Sequence, residues 1–309
     1  MDNDKNMKLI ADSGSTKTDW SLIDSQGQVR CARKTQGVNP FHETDASILH
    51  ILQEELKLPE QPTEVYFYGS GITEAMKPKM NALLSEAFPK ASVDAQSDLL
   101  GAARALFGNK SGIACILGTG ANSCLYDGEK IVMNTPPLGY ILGDEGSGAV
   151  LGKLFLNGIF KGTLSERLKT KFLAWSGLTY ADVINKVYRQ PLANRFLASI
   201  APFLSQQIAE GEKREEGTDE MEDAMAIYRM ILESFNQFYQ KNIVPYLQYL
   251  EEKSGVGTYE KLPIGFVGSV AYHFRDALDN IFVDEHSCGQ VKIMQAPMPG
   301  LVRYHVEKY

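Results

Sequence analysis

Short apolar and alternating runs mark the beginning of the chain as a set of β-strands. The run MKLIAD is apolar, TKTDWSLID alternates between apolar and polar positions, and the turn SQGQ separates it from VRCARK. Helical spacing follows in DASILHILQEEL, where Ile48, Leu52 and Leu56 fall on one face. EVYFYGSGI then predicts a strand, KMNALLSEAF a helix, and ASVDAQSDLLGAARALFG a strand, a loop and a helix. The order βββαβαβα predicts a mixed sheet with helices packed on it.

The same plan begins again after residue 111. In GIACILGTGANSCLYDGEKIVM a strand, a glycine turn, an alternating strand, the turn YDGEK and a further strand follow one another. Residues 150–255 are mostly helical in spacing, and Pro245 is expected to kink or end a long helix. KLPIGFVGSVAYHF and QVKIMQAPMPGLVRYHVEK each predict a strand, a turn or loop, and a helix. We therefore predict an α/β protein with two related domains, 1–111 and 112–309, the second carrying a helical insertion at about 153–258.

Length and composition narrow the class of protein. The chain has 309 residues, enough for two domain cores. Its formal net charge of -7 disfavours a nucleic-acid or acidic-membrane partner, because both bind basic surfaces. No apolar run approaches the roughly 20 residues of a membrane-spanning helix, and MDNDKNMK is not followed by the apolar segment of a signal peptide. The four cysteines are too scattered for a disulfide framework, so a cytoplasmic enzyme or binding protein is expected.

The polar turn DSGSTKT, between the first two predicted strands, invites comparison with a phosphate-binding loop. A Walker A loop needs a glycine directly before its lysine and a helix after it, whereas Thr16 precedes Lys17 and a strand follows. The turn is therefore predicted to be a β-hairpin tip, with Gly14 and Ser15 among the residues that can bind an anion. Asp12 would be badly placed beside a phosphate unless a cation such as Mg²⁺ lay between them. An ordinary polar hairpin turn is the alternative interpretation.

A second turn strengthens the phosphate interpretation. Gly118, Thr119 and Gly120 stand at the corresponding place in the second half, so two hairpins can face each other across a cleft and hold one polyphosphate. A third glycine site, Gly268 with Ser269, follows a buried strand and opens a helix. The base or ribose of a nucleotide binds at such a place in an α/β crevice.

Together these motifs resemble those of the BadF/BadG/BcrA/BcrD ATPase family of the actin and hexokinase superfamily, which includes N-acetylglucosamine kinases. ADSGSTKTDW is similar to the phosphate-1 motif, LGTGANSCL to phosphate-2, and IGFVGSVA to the adenosine motif. GYILGDEGSG is similar to the loop after phosphate-2 in the N-acetylglucosamine kinases and is the most family-specific piece. The resemblance implies two actin-like, ribonuclease H-like domains with a cleft between them, and ATP and Mg²⁺ as cofactors. The last family motif often ends in alanine where this chain has Leu301, which weakens the match at the adenine pocket.

The resemblance also implies roles in phosphoryl transfer to a sugar. Asp98 takes the place of the sugar kinases' catalytic aspartate, which acts as general base, although from its position alone it could equally cap the next helix. Asn39 corresponds to an asparagine that hydrogen-bonds the sugar. Asp144 and Glu145 suit sugar hydroxyls, or could cap a helix. The remaining candidates are Ser70, Gly71 and Asn122 for the substrate, Asp12 for the metal, and Gly14, Ser15, Thr16, Lys17, Gly118, Thr119, Gly120, Gly268 and Ser269 for ATP.

The leading hypothesis is an ATP-dependent kinase of an amino sugar, with N-acetylglucosamine as the expected substrate and its 6-phosphate as the product. One alternative is an ATPase that energises a partner enzyme, like the family's dehydratase activators. Those proteins carry an iron–sulfur cluster on cysteines, and the cysteine spacing here disfavours one. A non-catalytic sugar-binding protein is a second alternative. The expected partner is a small sugar, and the long helical region allows for a homodimer.

Overall fold

The structure, a computed structural model, describes residues 6–14, 16–41, 43–254, 262–288 and 291–307 of the 309. The strands among these residues are β1 Lys8–Ser13, β2 Lys17–Ile23, β3 Val29–Gln36, β4 Glu64–Gly69, β5 Ser92–Ser97, β6 Gly112–Leu117, β7 Ala121–Tyr126, β8 Ile131–Met133, β9 Ile264–Val267 and β10 Lys292–Met294. The helices are α1 Asp45–His50, α2 Lys77–Ala87, α3 Asp98–Phe107, α4 Gly139–Leu142, α5 Gly148–Lys161, α6 Glu166–Ser176, α7 Tyr180–Tyr188, α8 Ala193–Ala198, α9 Ala201–Gly211, α10 Asp219–Phe238, α11 Val244–Ser254, α12 Ser269–His273, α13 Arg275–Asp279 and α14 Met298–Glu307. Every helix in the described ranges is too short or too polar to cross a membrane.

Each half of the chain builds one five-stranded sheet. The order in the first sheet is β3-β2-β1-β4-β5, with β1 antiparallel to β2, β1 parallel to β4, and β4 parallel to β5. The second sheet has the order β8-β7-β6-β9-β10, so β6 takes the place of β1. Two copies of one sequence pattern therefore give two copies of one strand order. The predicted α/β class and its duplicated sheet plan are confirmed.

Side chains of the first sheet alternate between two helical layers, because successive residues of a strand point to opposite faces. Phe67 faces a core that also contains apolar side chains of α1 and α2. Ile10 and Tyr68 face the other core, with Leu301 of α14. Asp12, two residues after Ile10, belongs to this second face, on which α3 and α14 pack.

The chain divides into two compact units. The first unit comprises the described residues of Met1–Ala114, Tyr126–Val132 and Ala296–Tyr309, and the second unit those of Cys115–Leu125 and Met133–Gln295. Helix α14 thus packs in the first unit, although it follows the last strand of the second sheet. The helices α5 to α11 belong to the second unit. The domain boundary at residue 111 stays a prediction.

Two local features, the junction of β5 with α3 and the helical run around Pro245, can be compared with the sequence prediction. No loop separates β5 from α3, because the strand ends at Ser97 and the helix begins at the next residue. The long helix does not end at Pro245: α10 ends at Phe238, a π-helical turn, Tyr239–Ile243, leads into α11, and Pro245 is the second residue of α11. The alternative of a kink at Pro245 stays a prediction. The proline has no N–H for the preceding helical turn, and a π-turn is a usual way to absorb that loss. Further π-helical turns lie at Ile51–Glu55 and Asn280–Glu285.

Candidate active site

The ends of three neighbouring strands bring the first group of predicted site residues together. In the parallel strands β1, β4 and β5, one row contains Asp12, Tyr68 and Gln96. Two residues beyond Gln96, α3 begins with Asp98. Because the carboxyl ends of parallel strands open at one edge of a sheet, Asp12 and Asp98 come to the same edge.

Asp98 is half-buried at the first position of α3. Ser97 caps this helix, its Oγ accepting the N–H of Leu100 at 3.2 Å, so the capping role considered for Asp98 belongs to its neighbour. Asp98 Oδ1 accepts the N–H of Leu99 at 2.8 Å, and no side chain in the described ranges donates to the carboxylate. Burial raises the pKa of Asp98 to about 6, against the lowering effect of its backbone hydrogen bonds. Such a carboxylate is suited to accept a proton near neutral pH.

Asp12 is half-buried on the same face of the first sheet. The pKa of Asp12 is raised to about 7, first by burial and then by the charges of Asp98 and Asp19, while the charge of Lys17 opposes them. Concentrated negative charge of this kind favours a cation. The described part of the chain contains no group of three or more His, Cys, Asp or Glu side chains that could hold a metal alone. Binding of Mg²⁺ by Asp12 together with substrate phosphates, as this ion commonly binds, stays a prediction.

The turn between β1 and β2 is a tight hairpin tip. The Gly14 N–H donates to the Lys17 carbonyl at 3.0 Å, and the Thr16 carbonyl accepts a backbone N–H from the segment after β3 at 3.1 Å. Ser15 lies outside the described residues. Lys17 is exposed, and its Nζ is 2.6 Å from Asp19 Oδ2, so its charge is paired within the hairpin. The phosphate-binding roles of these four turn residues stay predictions.

Asn39, Ser70 and Gly71 lie close together although they are far apart in the sequence. Gly71 has a φ of 81°, and a Cβ on it would come within 3.0 Å of the Asn39 amide, so only glycine permits this approach. Asn39 Oδ1 accepts the N–H of Phe41 at 3.0 Å, which fixes the direction of the amide. The Ser70 N–H donates to the Ser13 carbonyl at 2.9 Å. The Ser70 Oγ is buried and has no hydrogen-bond partner in the described ranges, so it is available to a polar ligand.

The second hairpin turn is fastened to the helix that follows it. The Gly118 N–H donates to the Gly120 carbonyl at 2.9 Å. From the start of α5, Gly148 donates to the Gly118 carbonyl at 2.8 Å, and Ala149 donates to the Thr119 carbonyl at 3.1 Å. Backbone hydrogen bonds therefore join this turn to the start of α5.

Asp144 reaches the second turn from the loop before α5. Its carboxylate accepts the N–H of Ala121, and a Cβ on Gly120 would be 3.0 Å from Asp144 Oδ2. Burial raises the pKa of Asp144 to about 6, and the residue has a φ of 55°, which is uncommon outside glycine. Glu145, in contrast, pairs with Lys241 at 2.9 Å. The structure thus brings Asp144, but not Glu145, to the glycine turn.

Gly268 lies between β9 and α12 at a point of close backbone approach. It has a φ of 130°, and a Cβ on it would come within 3.0 Å of the Leu117 carbonyl oxygen, so glycine is required here. Ser269 is exposed at the start of α12. On β7, the Oδ1 of Asn122 accepts a hydrogen bond from the Nδ2 of Asn134 at 2.9 Å. The second turn and Gly268 therefore meet at the end of β6, with Asn122 engaged on the neighbouring strand.

Comparison with known proteins assigns this arrangement to a family. A protein of Porphyromonas gingivalis, provisionally named an N-acetylglucosamine kinase, is 42% identical to this chain. The match covers 97% of this chain and 99% of that protein, with a TM-score of 0.84. This chain belongs to the same sugar kinase family.

More distant sugar kinase structures share the fold. A provisionally named N-acetylglucosamine kinase of Chromobacterium violaceum is 18% identical over 97% of this chain and 98% of its own, with a TM-score of 0.64. A provisionally named sugar kinase of Cytophaga hutchinsonii is 15% identical over 98% and 100%, with a TM-score of 0.52. No family model and no curated protein matched the chain. The actin-like fold and the resemblance to N-acetylglucosamine kinases are confirmed, and the broader family name rests on the motifs.

Some residues that shape this sugar kinase site were not predicted from the sequence. Ser13 Oγ is buried, accepts the N–H of Val38 at 3.0 Å and lies 2.7 Å from Thr18 Oγ1. These contacts join the first hairpin to the segment that carries Asn39. Serine and threonine at the two ends of the turn are visible in the sequence, but their shared partner is not.

Ser147 is a second such residue. It is the N-cap of α5, and its Oγ accepts the N–H of Val150 at 3.2 Å. The alternative that Asp144 or Glu145 caps this helix is therefore wrong. The sequence does indicate this cap, because serine before a helical run is a favoured N-cap residue. The neighbouring carboxylates were considered as caps instead.

Proposed function

We propose that this protein is an ATP-dependent kinase that transfers a phosphoryl group to the 6-hydroxyl of N-acetylglucosamine. The family supports a sugar kinase, and the provisional name of the P. gingivalis protein supports the amino sugar. The observation that carries the proposal is Asp98, a half-buried carboxylate whose pKa is raised to about 6 at the sheet edge it shares with Asp12. Asp98 takes the proton of the attacking hydroxyl, a role that typically contributes about 10²–10⁴-fold.

The acceptor sugar binds beside Asn39, Ser70 and Gly71 in this proposal. A sugar hydroxyl next to Ser70 supplies the hydrogen bond that its buried Oγ lacks in the described ranges, and a missing bond of this kind costs about 1–3 kcal/mol. Because the Phe41 N–H occupies Asn39 Oδ1, the amide Nδ2 is the group left to donate to the sugar. Sugar contacts by Asn122, Asp144 and Glu145 stay predictions.

ATP is the phosphoryl donor, accompanied by Mg²⁺. Asp12 fits this ion because burial, and then two neighbouring carboxylates, raise its pKa, so that a cation would stabilise the ionised form. When bound, Mg²⁺ neutralises charge on the phosphates. Gly118, Gly120 and Gly268 leave the backbone accessible to phosphate and nucleoside, as close approach requires. The use of ATP agrees with the cytoplasmic location expected from the sequence.

A panel of related sugars tests both the reaction and its specificity. ADP formation is followed with N-acetylglucosamine, glucosamine, glucose, N-acetylmannosamine and 6-deoxy-N-acetylglucosamine. We expect ADP to form only when an acceptor is present, with the highest kcat/KM for N-acetylglucosamine. The 6-deoxy sugar, which keeps every other group, should inhibit competitively without turnover.

Each other outcome contradicts part of the proposal. ADP formation that no sugar accelerates would favour the ATPase activator, and sugar binding without turnover would favour the binding protein. Turnover of the 6-deoxy sugar would exclude the 6-hydroxyl as acceptor. The cysteines already favour the kinase over the activator, because Cys31, Cys115 and Cys124 are buried, whereas a cluster at a subunit interface needs exposed thiolates.

A further inference from the structure

Helix α3, which carries Asp98, approaches strand β4 closely at Gly101. A Cβ on Gly101 would be 2.8 Å from Cδ1 of Tyr68, so the helix backbone lies against the face of this ring. Asp98 and Arg104 stand three residues before and after Gly101 and therefore share its side of the helix. The way α3 sits on Tyr68 consequently determines where the Asp98 carboxylate lies.

The Tyr68 hydroxyl is the junction of α3, β4 and α14. Arg104 Nη1 donates to this hydroxyl at 3.0 Å, and His305 Nε2 lies 2.9 Å from it. His305 is buried on α14, and its ring stacks on Tyr66 with 3.8 Å between the centroids. Lys8 Nζ donates to the His305 carbonyl at 2.8 Å. One phenol thus links the helix of the candidate base to the C-terminal helix.

The half-buried Arg104 guanidinium lies among aromatic side chains. The Arg104 Nε is buried without a hydrogen-bond partner in the described ranges. Its guanidinium lies 5.1 Å from the centroid of the Tyr304 ring and 5.8 Å from that of Tyr68. Arg104 also forms a side-chain hydrogen bond with Tyr126. The hydrogen bonds to Tyr68 and Tyr126 and the two ring contacts therefore fix the direction of the guanidinium.

We propose that Tyr68 and Arg104, held from outside by His305, are positioning residues for Asp98. The Tyr68 ring sets the depth of α3 through Gly101, and its hydroxyl sets the rotation of the helix through Arg104. This inference rests on the proposed function, because it takes Asp98 as the general base. It adds residues that lie between α3, β4 and α14, away from the open edge of the sheet.

Kinetics of conservative variants provide the first test. Tyr68→Phe keeps the ring against Gly101 and removes only the hydroxyl, and Arg104→Met removes the charge at similar length. We expect kcat to fall about 10-fold in each, since small displacements of a reacting group cost up to about 10²-fold. KM for sugar and for ATP should change less than about twofold. Arg104→Lys, which keeps a donor, should recover part of kcat.

A double variant decides whether Tyr68 acts through Asp98. In an Asp98→Asn background, the additional Tyr68→Phe change should leave kcat as it is, because there is no base left to position. Trp20→Phe is the matched control: Trp20 is buried on the opposite face of the same sheet, and its Nε1 donates to Thr35 Oγ1 at 3.0 Å. We expect this control and Tyr68→Phe both to lower Tm by about 2–4 °C, with kcat of the control unchanged.

The outcomes separate this inference from the function on which it rests. Unchanged kcat in Tyr68→Phe, or a further loss of the same size in the Asp98→Asn background, overturns the inference alone. If the wild type phosphorylates no sugar, the proposed function fails, and amide hydrogen exchange decides the positioning. Exchange across residues 99–103 should then be faster in Tyr68→Phe than in Trp20→Phe at equal Tm. Equal exchange in the two variants overturns the positioning role.

Discussion

The two units of this sugar kinase carry different kinds of candidate site groups. In the first unit they are side chains: the pKa values of Asp12 and Asp98 are raised to about 7 and about 6, and Ser70 has a buried, unsatisfied hydroxyl. In the second unit the candidate site groups are mostly backbone groups. Gly268 leaves no room for a Cβ, and backbone hydrogen bonds join the second turn to α5.

This difference has a physical consequence for what each unit tolerates. A carboxylate can be replaced by its isosteric amide without steric change, so replacing Asp98 in this way should remove the base and leave sugar and ATP binding in place. Where another backbone segment lies against a glycine, a larger residue does not fit, so any replacement there should displace the backbone. We propose that proton transfer and metal binding belong to the first unit and nucleoside contacts to the second. Phosphate contacts by the turn at Gly14 and by the turn at Gly118 stay predictions.

The largest effect is expected from Asp98→Asn. The variant keeps the shape of the side chain and the acceptor for the Leu99 N–H but removes the basic oxygen. We expect kcat to fall by about 10²–10⁴-fold, while Kd for sugar and ATP, measured by calorimetry, stays within about threefold. Wild-type kcat in this variant would remove Asp98 from the mechanism, and loss of sugar binding would make it a ligand rather than a base.

The matching change in the second unit is Gly268→Ala. The new Cβ meets the Leu117 carbonyl and the residue has a φ of 130°, so we expect the free energy of unfolding to fall by about 2–4 kcal/mol and KM for ATP to rise. Gly162→Ala is the control, because Gly162 has a φ of 77° but nothing within 4 Å of an added Cβ. Its cost should be about 1 kcal/mol, from φ alone, with no change in KM for ATP. Equal effects in the two variants would contradict the close-approach argument.

Asp12→Asn should stabilise the fold at high pH while impairing activity. A carboxyl group whose pKa is raised on folding favours the folded state most at low pH, and that contribution is lost as pH rises through the folded pKa of about 7. At pH 8 the variant should gain about 2 kcal/mol in urea unfolding, and the gain should vanish near pH 4. Asp127→Asn is the opposite control, since backbone hydrogen bonds lower the pKa of Asp127. A gain that does not depend on pH would contradict the assignment for Asp12.

The smallest expected effect is the decrease of kcat/KM at low pH. Asp98 works as a base only when ionised, so kcat/KM should fall as pH drops through about 6 and be about tenfold lower one pH unit further down. The control is the unfolding midpoint over the same range, which should show that the protein stays folded. A flat profile down to pH 5 would mean that no group with this pKa limits the reaction.

The sequence predicted the features that depend on local pattern. Alternation gave both hairpins and their strands, and glycine spacing located Gly118 and Gly268, because periodicity and turn chemistry act over a few residues. Resemblance to the family added Asp98 and Asn39. Neither source predicted that Gly71 touches Asn39, or that α14 returns to the first unit.

The unpredicted features share a physical cause. The hydrogen bond from Arg104 to Tyr68 and the contact of Tyr68 with His305 join segments far apart in the chain, which no periodicity encodes. Ser97 was missed for the opposite reason. Two polar residues stood side by side at a helix start, and only the geometry shows that Ser97 is the cap and leaves Asp98 available for chemistry.

The central claim is that Asp98 activates the 6-hydroxyl of N-acetylglucosamine toward ATP. Its most direct test is a ³¹P NMR time course with ATP, Mg²⁺ and N-acetylglucosamine, run in parallel for the wild type and Asp98→Asn. We expect one new phosphomonoester signal, coupled to the C6 protons and rising with ADP, that the variant forms at least about 10²-fold more slowly. Release of inorganic phosphate without a sugar phosphate, phosphate on another hydroxyl, or equal rates in the two proteins would contradict the account.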